Sequence, residues 1–301
     1  MIKVSVVIVN HNTKDVLRDC LANLSQISDS YGLMEIIVVD NASSDGSVEM
    51  VKEKFHHVQL ILSENKGLAA GYNKGIDRSS GEYILYLGSD TFPNEVTIKG
   101  MADYLDQNKD IGAATCELVL RNGLLDMDAH RGFPTPWASL THFSRLNRLF
   151  PKSKIFNKYF LGWKDFSKPH EIDLCISHFM MIRKSVFEKV GRWDEDYFVY
   201  GEDVDMCYRI KQAGYKIMYL PQWEAIHYKG VGVGIRSETS DITKASIQTR
   251  SKMSRETTRA MRLFYKKHYA EKYPEFVTDI VLFAIGQIEK ARTKKVAGKN
   301  N

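Results

Sequence analysis

The sequence predicts an α/β protein with a mostly parallel central sheet, helices on both faces in a Rossmann-like arrangement, and a helical C-terminal tail. Three observations predict it. Short β-branched runs recur along the first 120 residues, stretches with apolar residues at helical spacing separate them, and polar clusters follow the runs. Strands alternating with helices imply parallel pairing with both faces covered, and ligands in such sheets sit at the carboxyl ends of the strands.

The first strand is "KVSVVIV" (3–9), too short and too β-branched for a signal peptide or membrane span. A helix follows, with Val16, Leu17, Cys20, Leu21 and Leu24 on one side and Asn12 or Thr13 as its cap. "MEIIVVD" (34–40) is the second strand, and "NASSDGS" is a turn opening a helix. "HVQLIL" (57–62) is the third strand, followed by the small-residue helix of "NKGLAAGYNKGIDRSSG". "EYILYLG" (82–88) and "IGAATCEL" (111–118) are the fourth and fifth. Residues 121–170 are irregular, aromatic and basic, as expected of a loop region over a cleft. "IDLCISHFMMIRKSVFEKVG" reads as a strand then a helix, and the last 50 or so residues read as helical. In that tail Phe276, Ile280, Val281, Ala284 and Ile288 share a face.

The chain has 301 residues, 44% of them hydrophobic, enough for a large core. Cys20, Cys116, Cys175 and Cys207 are scattered, which argues against a disulfide framework or a structural zinc site and for a reducing compartment. Charge is uneven. Residues 244–301 hold 14 Lys/Arg and 5 Asp/Glu, a net of +9, leaving −4 on residues 1–243. A mildly acidic domain is therefore expected over 1–243 and a basic helical extension over 244–301. Such asymmetry suggests an anionic partner. No nucleic-acid recognition motif occurs, so none is expected to bind. The tail reads either as a solvated helix packed on the domain or as a basic amphipathic helix on a membrane.

Four polar clusters would meet along one sheet edge: 10–12, 40–43, 65–67 and 88–90. Asp40 can accept the imide N–H of a uracil or thymine, or act as a turn acid. "ENKGLAAGYNKG" matches neither the P-loop nor the dinucleotide fingerprint; its glycines admit a ligand close to the backbone or simply pack the helix on the sheet. Asp90 suits a hard divalent cation or a turn. In "FVYGEDVDMCYRI" the acids Glu202, Asp203 and Asp205 fall in a first helical turn, where the helix dipole alone favours them. The alternative is a general base, with Trp193, Tyr197, Phe198 and Tyr200 suited to packing on a sugar.

"VSVVIVNHNTKDVLRDCLANL", "IIVVDNASSDGSVEMV", "ENKGLAAGYNKGI", "EYILYLGSDT" and "VGRWDEDYFVYGEDVDMCYRIKQAGYKIMYLP…AIHYKG" occur in this order. Together they resemble the family 2 glycosyltransferases of A-type nucleotide-sugar fold, over roughly residues 3–230. The subgroup most resembled is the rhamnosyltransferase-like enzymes of bacterial surface polysaccharide synthesis. The resemblance implies inverting transfer from dTDP-rhamnose or a UDP-sugar to a hydroxyl of a glycan or lipid-linked acceptor. It implies a cytoplasmic enzyme, with the tail on the inner face of the membrane. Asp40 would read the base, with Val9, Asn10 and Asn12 lining its pocket. Asn65 and Gly67 would lie near the nucleotide, and Asn73 near ribose or donor sugar. Ser89 and Asp90 would meet the diphosphate, Asp90 with His227 holding Mg²⁺ or Mn²⁺. Asp203 would be the catalytic base and Glu202 its neighbour at the acceptor hydroxyl, with Trp193, Asp194 and Glu195 around the acceptor. Two departures stand out: Gly88 where an acid or amide is usual, and Ser177–His178 where small residues are usual, which would narrow the acceptor site. The two rival readings are a catalytically impaired sugar- or lipid-binding relative and a nucleic-acid-binding protein that uses the basic tail.

Overall fold

A computed structural model describes residues 1–232, 241–243 and 245–297. Nine strands among the described residues form one sheet; named by first residue their order is Gln59, Met34, Val4, Tyr83, Phe179, Ile111, Lys216 and Thr91, with the strand from His170 paired to that from Lys216. β1 (Val4–Asn10), β2 (Met34–Asn41), β3 (Gln59–Ser63) and β4 (Tyr83–Leu87) make a parallel half. They alternate with α1 (Lys14–Tyr31), α2 (Ser47–Lys54) and α3 (Leu68–Arg78).

The second half is mixed. β5 (Thr91–Pro93) leads into α4 (Glu95–Gln107) and β6 (Ile111–Leu120). Two short helices, α5 (Pro136–Phe143) and α6 (Leu146–Leu149), interrupt the aromatic, basic middle. β7 (His170–Ile172), β8 (Phe179–Arg183), α7 (Val186–Val190), α8 (Glu202–Gln212) and β9 (Lys216–His227) complete the domain. β8 runs antiparallel between β4 and β6, and β5 and β7 are antiparallel to β9. β6 and β9 are parallel.

The strand runs are continuously apolar because both faces are covered. Val4, Val6 and Ile8 pack towards α1, α2 and α4. Val7, Ile37 and Val39 face α3, α7 and α8. A Cβ at Gly75 would sit 2.2 Å from Val7 Cγ1, and one at Gly71 2.7 Å from Val9 Cγ2. The glycines inside α3 thus serve close packing, the plainer of their two readings. Thr13 stands at the α1 N-cap without a side-chain capping bond; Asp45 accepts from Lys14 N instead (2.8 Å).

α9 (Ile247–His268) and α10 (Glu275–Ala297) close the chain. Ala260, Phe264, Tyr265 and Tyr269 pack with Tyr197 and Tyr208 of the domain. The five residues expected to share an apolar face of α10 are not covered together: Phe276, Ile280 and Ala284 are exposed and Val281 and Ile288 half-buried, while Ile285, outside that set, is buried. Lys244 and residues 298–301 of the basic extension lie outside the described residues. All four cysteines are buried free thiols. Among the described residues, no helix is long and apolar enough to cross a membrane.

Candidate active site at the strand tips

The four polar clusters follow β1, β2, β3 and β4, all parallel, so their residues gather at one sheet edge. The β1–β2 register sets Asn10 beside Asp40, and Asn10 Nδ2 donates to Asp40 Oδ2 (2.8 Å). The other Asp40 oxygen accepts from Ser43 N (2.8 Å). Thr13 Oγ1 donates to Asn10 Oδ1 (2.6 Å) and meets Ser89 Oγ at 3.1 Å. Ser89 precedes Asp90. Gly88 N donates to His178 O (3.0 Å), and Ser177 Oγ lies 3.4 Å from Glu202 Oε1. Contacts and chain neighbours therefore run without a break from Asp40 to Asp90 and on to Asp203.

Sheet register also builds a cluster of possible metal ligands. Thr91 pairs with His227 across β5 and β9, which sets Asp90 against the imidazole. Leu87 pairs with Phe179 across β4 and β8, which sets His178 opposite Gly88. Ligand atoms of Asp90, His178 and His227 all lie within 4.8 Å of one another. A Cβ at Gly88 would sit 2.7 Å from His178 Cδ2 and 2.8 Å from Asp90 Oδ1. The two departures noted in the sequence are thus one feature, because the missing side chain at 88 leaves the room that the His178 ring fills.

The donor set fits a divalent cation. Asp90 Oδ2 and His227 Nε2 are buried with no hydrogen-bond partner, and His227 Nε2 lies 3.6 Å from Asp90 Oδ1. His227 Nδ1 is 2.9 Å from Asp126 Oδ2. Burial opposes the charge on Asp126, but the His227 hydrogen bond and Lys229 hold it well below the usual carboxylate range. An ionised carboxylate only accepts, so Nδ1 carries the proton and Nε2 presents its lone pair to the cluster. Burial pushes His178 down against the opposing charge of Asp90, which favours the neutral ring that a ligand needs. Asp126→Asn is expected to weaken Mn²⁺ binding about 10–100-fold, read by calorimetry; unchanged affinity would remove Asp126 from this role.

Glu202 and Asp203 open α8 after two left-handed residues, Tyr200 (φ 67°) and Gly201 (φ 84°). Of the five non-glycine residues with positive φ among the described residues, Asn12 and Ala42 lie in the tip loops and Tyr200 leads into α8. Strain of this kind concentrates at functional sites. Gly67 (φ 100°) serves the same junction: a Cβ there would sit 2.3 Å from Phe198 O, which accepts from Leu68 N (2.8 Å). The β3–α3 loop is thereby fastened to the segment that carries the acids.

Burial, then the charge of Asp203, pushes Glu202 up to about 8. Burial also raises Asp203, while Arg131 opposes the rise. With a cation facing only Asp203, the shared proton belongs on Glu202 and the charge on Asp203. Glu202 thus contributes stability that is full below its ordinary 4.5, declines as pH rises, and is gone above about 8. Glu202→Gln is expected to stabilise the fold by about 2–4 kcal/mol at pH 9 and hardly at all at pH 5. Melting curves at both pH values check this, and equal shifts would contradict it.

The remaining expected residues are distributed differently. Asn12 and Asn65 are exposed at the tips and Val9 is half-buried. The Asn73 side chain is engaged within the protein, donating to Trp193 O (3.0 Å) and Glu195 Oε1 (2.8 Å) and accepting from Trp193 N (3.0 Å). Asn73 braces the 193–195 loop, in place of the ribose or sugar contact expected of it. Trp193 is 2% exposed, its ring packed on Tyr72 and Tyr86, so it offers no surface to an acceptor. Asp194 accepts from Lys267 Nζ (2.7 Å). Asp205 is turned towards α9 and accepts from Arg209, Lys267 and His268 (2.7–2.8 Å). Sequence reasoning missed His178 as a ligand, and Asp126 and Arg131 as partners. "DMDAHR" (126–131), with acids two apart beside a His and an Arg, was the available signal. Two surface hollows, about 230 Å³ by Tyr208 and Lys267 and about 450 Å³ by Lys14 and Met50, are lined by none of the acids or histidines of the site.

Comparison with known proteins agrees with this architecture. The family model for glycosyl transferase family 2 matches residues 5–191. Rhamnosyltransferase WbbL of Escherichia coli (strain K12) is 26% identical over 234 residues, covering 75% of this chain and 83% of the relative. Poly-beta-1,6-N-acetyl-D-glucosamine synthase of Staphylococcus aureus (strain MSSA476) is 24% identical over 214 residues, 70% of this chain but 46% of that longer protein. Among solved structures, S. aureus TarS 1–349 in complex with UDP-GlcNAc has a TM-score of 0.55 at 17% identity, covering 96% of this chain and 73% of that one. The mannosyltransferase PcManGT from Pyrobaculum calidifontis, in complex with GDP-Man and Mn²⁺, has a TM-score of 0.55 at 16% identity, with coverage of 98% and 73%. At these identities the structures speak for the fold.

Proposed function

Because the chain belongs to glycosyl transferase family 2, we propose that it is an inverting enzyme acting on a nucleotide-diphosphate sugar, dTDP-rhamnose or a UDP-sugar. It hands the sugar to a hydroxyl of a glycan or lipid-linked acceptor in bacterial surface polysaccharide synthesis. The observation that carries this reading is the line of contacts and chain neighbours joining Asp40, Asp90 and Asp203. The similarity to a rhamnosyltransferase supports the deoxyhexose donor.

In this reading Asp40 accepts from the pyrimidine imide, held in place by Asn10 and Ser43. Asp90, His178 and His227 would hold Mg²⁺ or Mn²⁺, and the bound ion would supply neutralisation of the charge developing on the diphosphate leaving group. Asp203, kept ionised by Arg131, takes the proton of the attacking hydroxyl as the new glycosidic bond forms on the opposite face of the sugar carbon. Glu202, protonated at neutral pH, donates a hydrogen bond to that oxygen. Asp194 and Glu195 border the acceptor side. The tail makes a peripheral contact with the inner membrane face through Phe276, Ile280 and Phe283 of α10, whose exposure supports it.

A thermal-shift screen of nucleotide sugars, with and without Mn²⁺, tests the reading. A cognate donor at about 100 times its Kd stabilises the fold by about 2.7 kcal/mol. If dTDP-rhamnose and UDP-sugars all leave the melting point unchanged with Mn²⁺ present, the donor assignment fails.

A further inference from the structure

The middle of the chain carries a surface that the transfer chemistry does not use. Trp137, Leu140, Phe143, Leu149, Phe150 and Ile155 are all exposed, between 42% and 72%. Trp137, Phe150 and Ile155 are joined in one patch, with Leu140 and Phe143 following Trp137 at three-residue steps on α5 and Leu149 next to Phe150. Trp137 Nε1 donates to Ile155 O (2.9 Å), and Phe156 stacks with both Trp137 and Phe150, at centroid distances of 6.1 and 4.9 Å. Contiguous exposed apolar surface of this kind marks a contact site.

Charge identifies the partner. Residues 136–158 contain five Lys/Arg and no Asp/Glu, within a domain whose net charge is −4. Arg145, Arg148, Lys152, Lys154 and Lys158 are exposed. None of the ion pairs found among the described residues involves them, although exposed lysines elsewhere, such as Lys99 and Lys216, have acidic partners. Aromatic and aliphatic side chains ringed by unpaired cations match the interface of an anionic bilayer, with rings at headgroup depth and ammonium groups on phosphates. A nucleic acid would meet the same cations but leave Leu149 and Ile155 in water.

We propose that residues 136–158 dock the protein on an anionic lipid surface, separately from the tail. The geometry relates this surface to the reaction site. Tyr159, next in the chain to Lys158, accepts from Arg131 Nη1 (2.7 Å), and Arg131 is the cation that faces Asp203. Docking there sets the bilayer on the side of the acid pair. The inference concerns binding alone and stands whether or not the donor assignment does.

The experiment is co-sedimentation of the full chain with vesicles of phosphatidylcholine alone or with 30% (roughly a third) phosphatidylglycerol, without donor or metal. The parent protein is expected to bind the anionic vesicles and release them as salt rises. Arg148→Glu with Lys152→Glu and Lys154→Glu should lower that binding at least 10-fold, and so should Leu149→Ser with Ile155→Ser. These side chains are exposed, so melting points should stay at the parent value; should a variant melt early, Lys152→Gln with Lys154→Gln replaces it and should still weaken binding. Phe276→Ser with Phe283→Ser separates the tail's contribution. Unchanged binding in the 136–158 variants, loss only in the tail variant, or no vesicle binding by the parent would each overturn the proposal. So would a concentration-dependent dimer, seen by light scattering, that these variants abolish while vesicle binding persists.

Discussion

Asp203→Asn is expected to fold, to bind the nucleotide-sugar donor, and to lose transfer by about 10²–10⁴-fold, the usual contribution of a positioned general base. The amide keeps the shape of the carboxylate and its place at the head of α8, where Asp203 Oδ1 accepts from Val204 N (2.8 Å). It cannot take a proton. The companion variant is Arg131→Gln. Burial raises Asp203 and Arg131 opposes that rise, so without the guanidinium the acidic limb of the activity profile should move to higher pH. Asp203→Asn should flatten that limb. Parent-like transfer by Asp203→Asn, with an unchanged acidic limb in Arg131→Gln, would remove this pair from the chemistry.

The second large effect concerns His178. Two imidazoles and one carboxylate form a softer set than the all-oxygen surroundings Mg²⁺ prefers. The chain is therefore expected to bind Mn²⁺ more tightly than Mg²⁺. His178→Ala should weaken Mn²⁺ binding by about 100-fold or more and narrow that preference, since removing a ligand outweighs the 10–100-fold cost of losing a supporting residue. Gly88→Asp alone places side-chain atoms where the ring of His178 stands and should also bind poorly. Combined with His178→Ala, the new carboxylate has room, and Mg²⁺ binding should recover relative to either single variant. Calorimetric titration of each protein decides this; Mn²⁺ affinity untouched by His178→Ala would rule the ring out as a ligand.

What the sequence disclosed follows from the physics of buried parallel strands. "VSVVIV" and "IIVVD" are covered on both faces, so they are apolar throughout and end abruptly in polar tips. That is why Asp40 and Asp90 stood out. The antiparallel strands were less legible. β5 and β7 span three residues each, too few for a periodicity, and β8 joins the sheet by pairing with β4, distant in sequence. The position of His178 depends on that pairing, so no local pattern marked it as a ligand. Asp126 and Arg131 lie in an aperiodic stretch whose partners, His227 and Asp203, are roughly 70–100 residues away, and such contacts emerge only in the folded chain. The three acids of "GEDVD" illustrate the limit best. They look alike in sequence, yet Glu202 meets Ser177 and Asp203 faces Arg131, while Asp205 is taken up by Arg209 and by His268 of α9.

Asp205 has a practical consequence for how this protein is dissected. Its side chain has no solvent exposure, and two of its three partners, Lys267 and His268, belong to α9. Burial opposes its charge, yet bonds from His268, Arg209 and Lys267 hold it down at about 2. Shortening the chain before α9 would take away two of the three partners of Asp205, leaving Arg209, and would bare the aromatic surface around Tyr197 and Tyr208. Exposing a buried large apolar side chain costs about 1.5–3 kcal/mol, and several such exposures are a large part of what keeps a typical domain folded. Deleting the last two helices would therefore report on folding before it reported on lipid. Single exchanges on the outward side of α10 are the cleaner surgery.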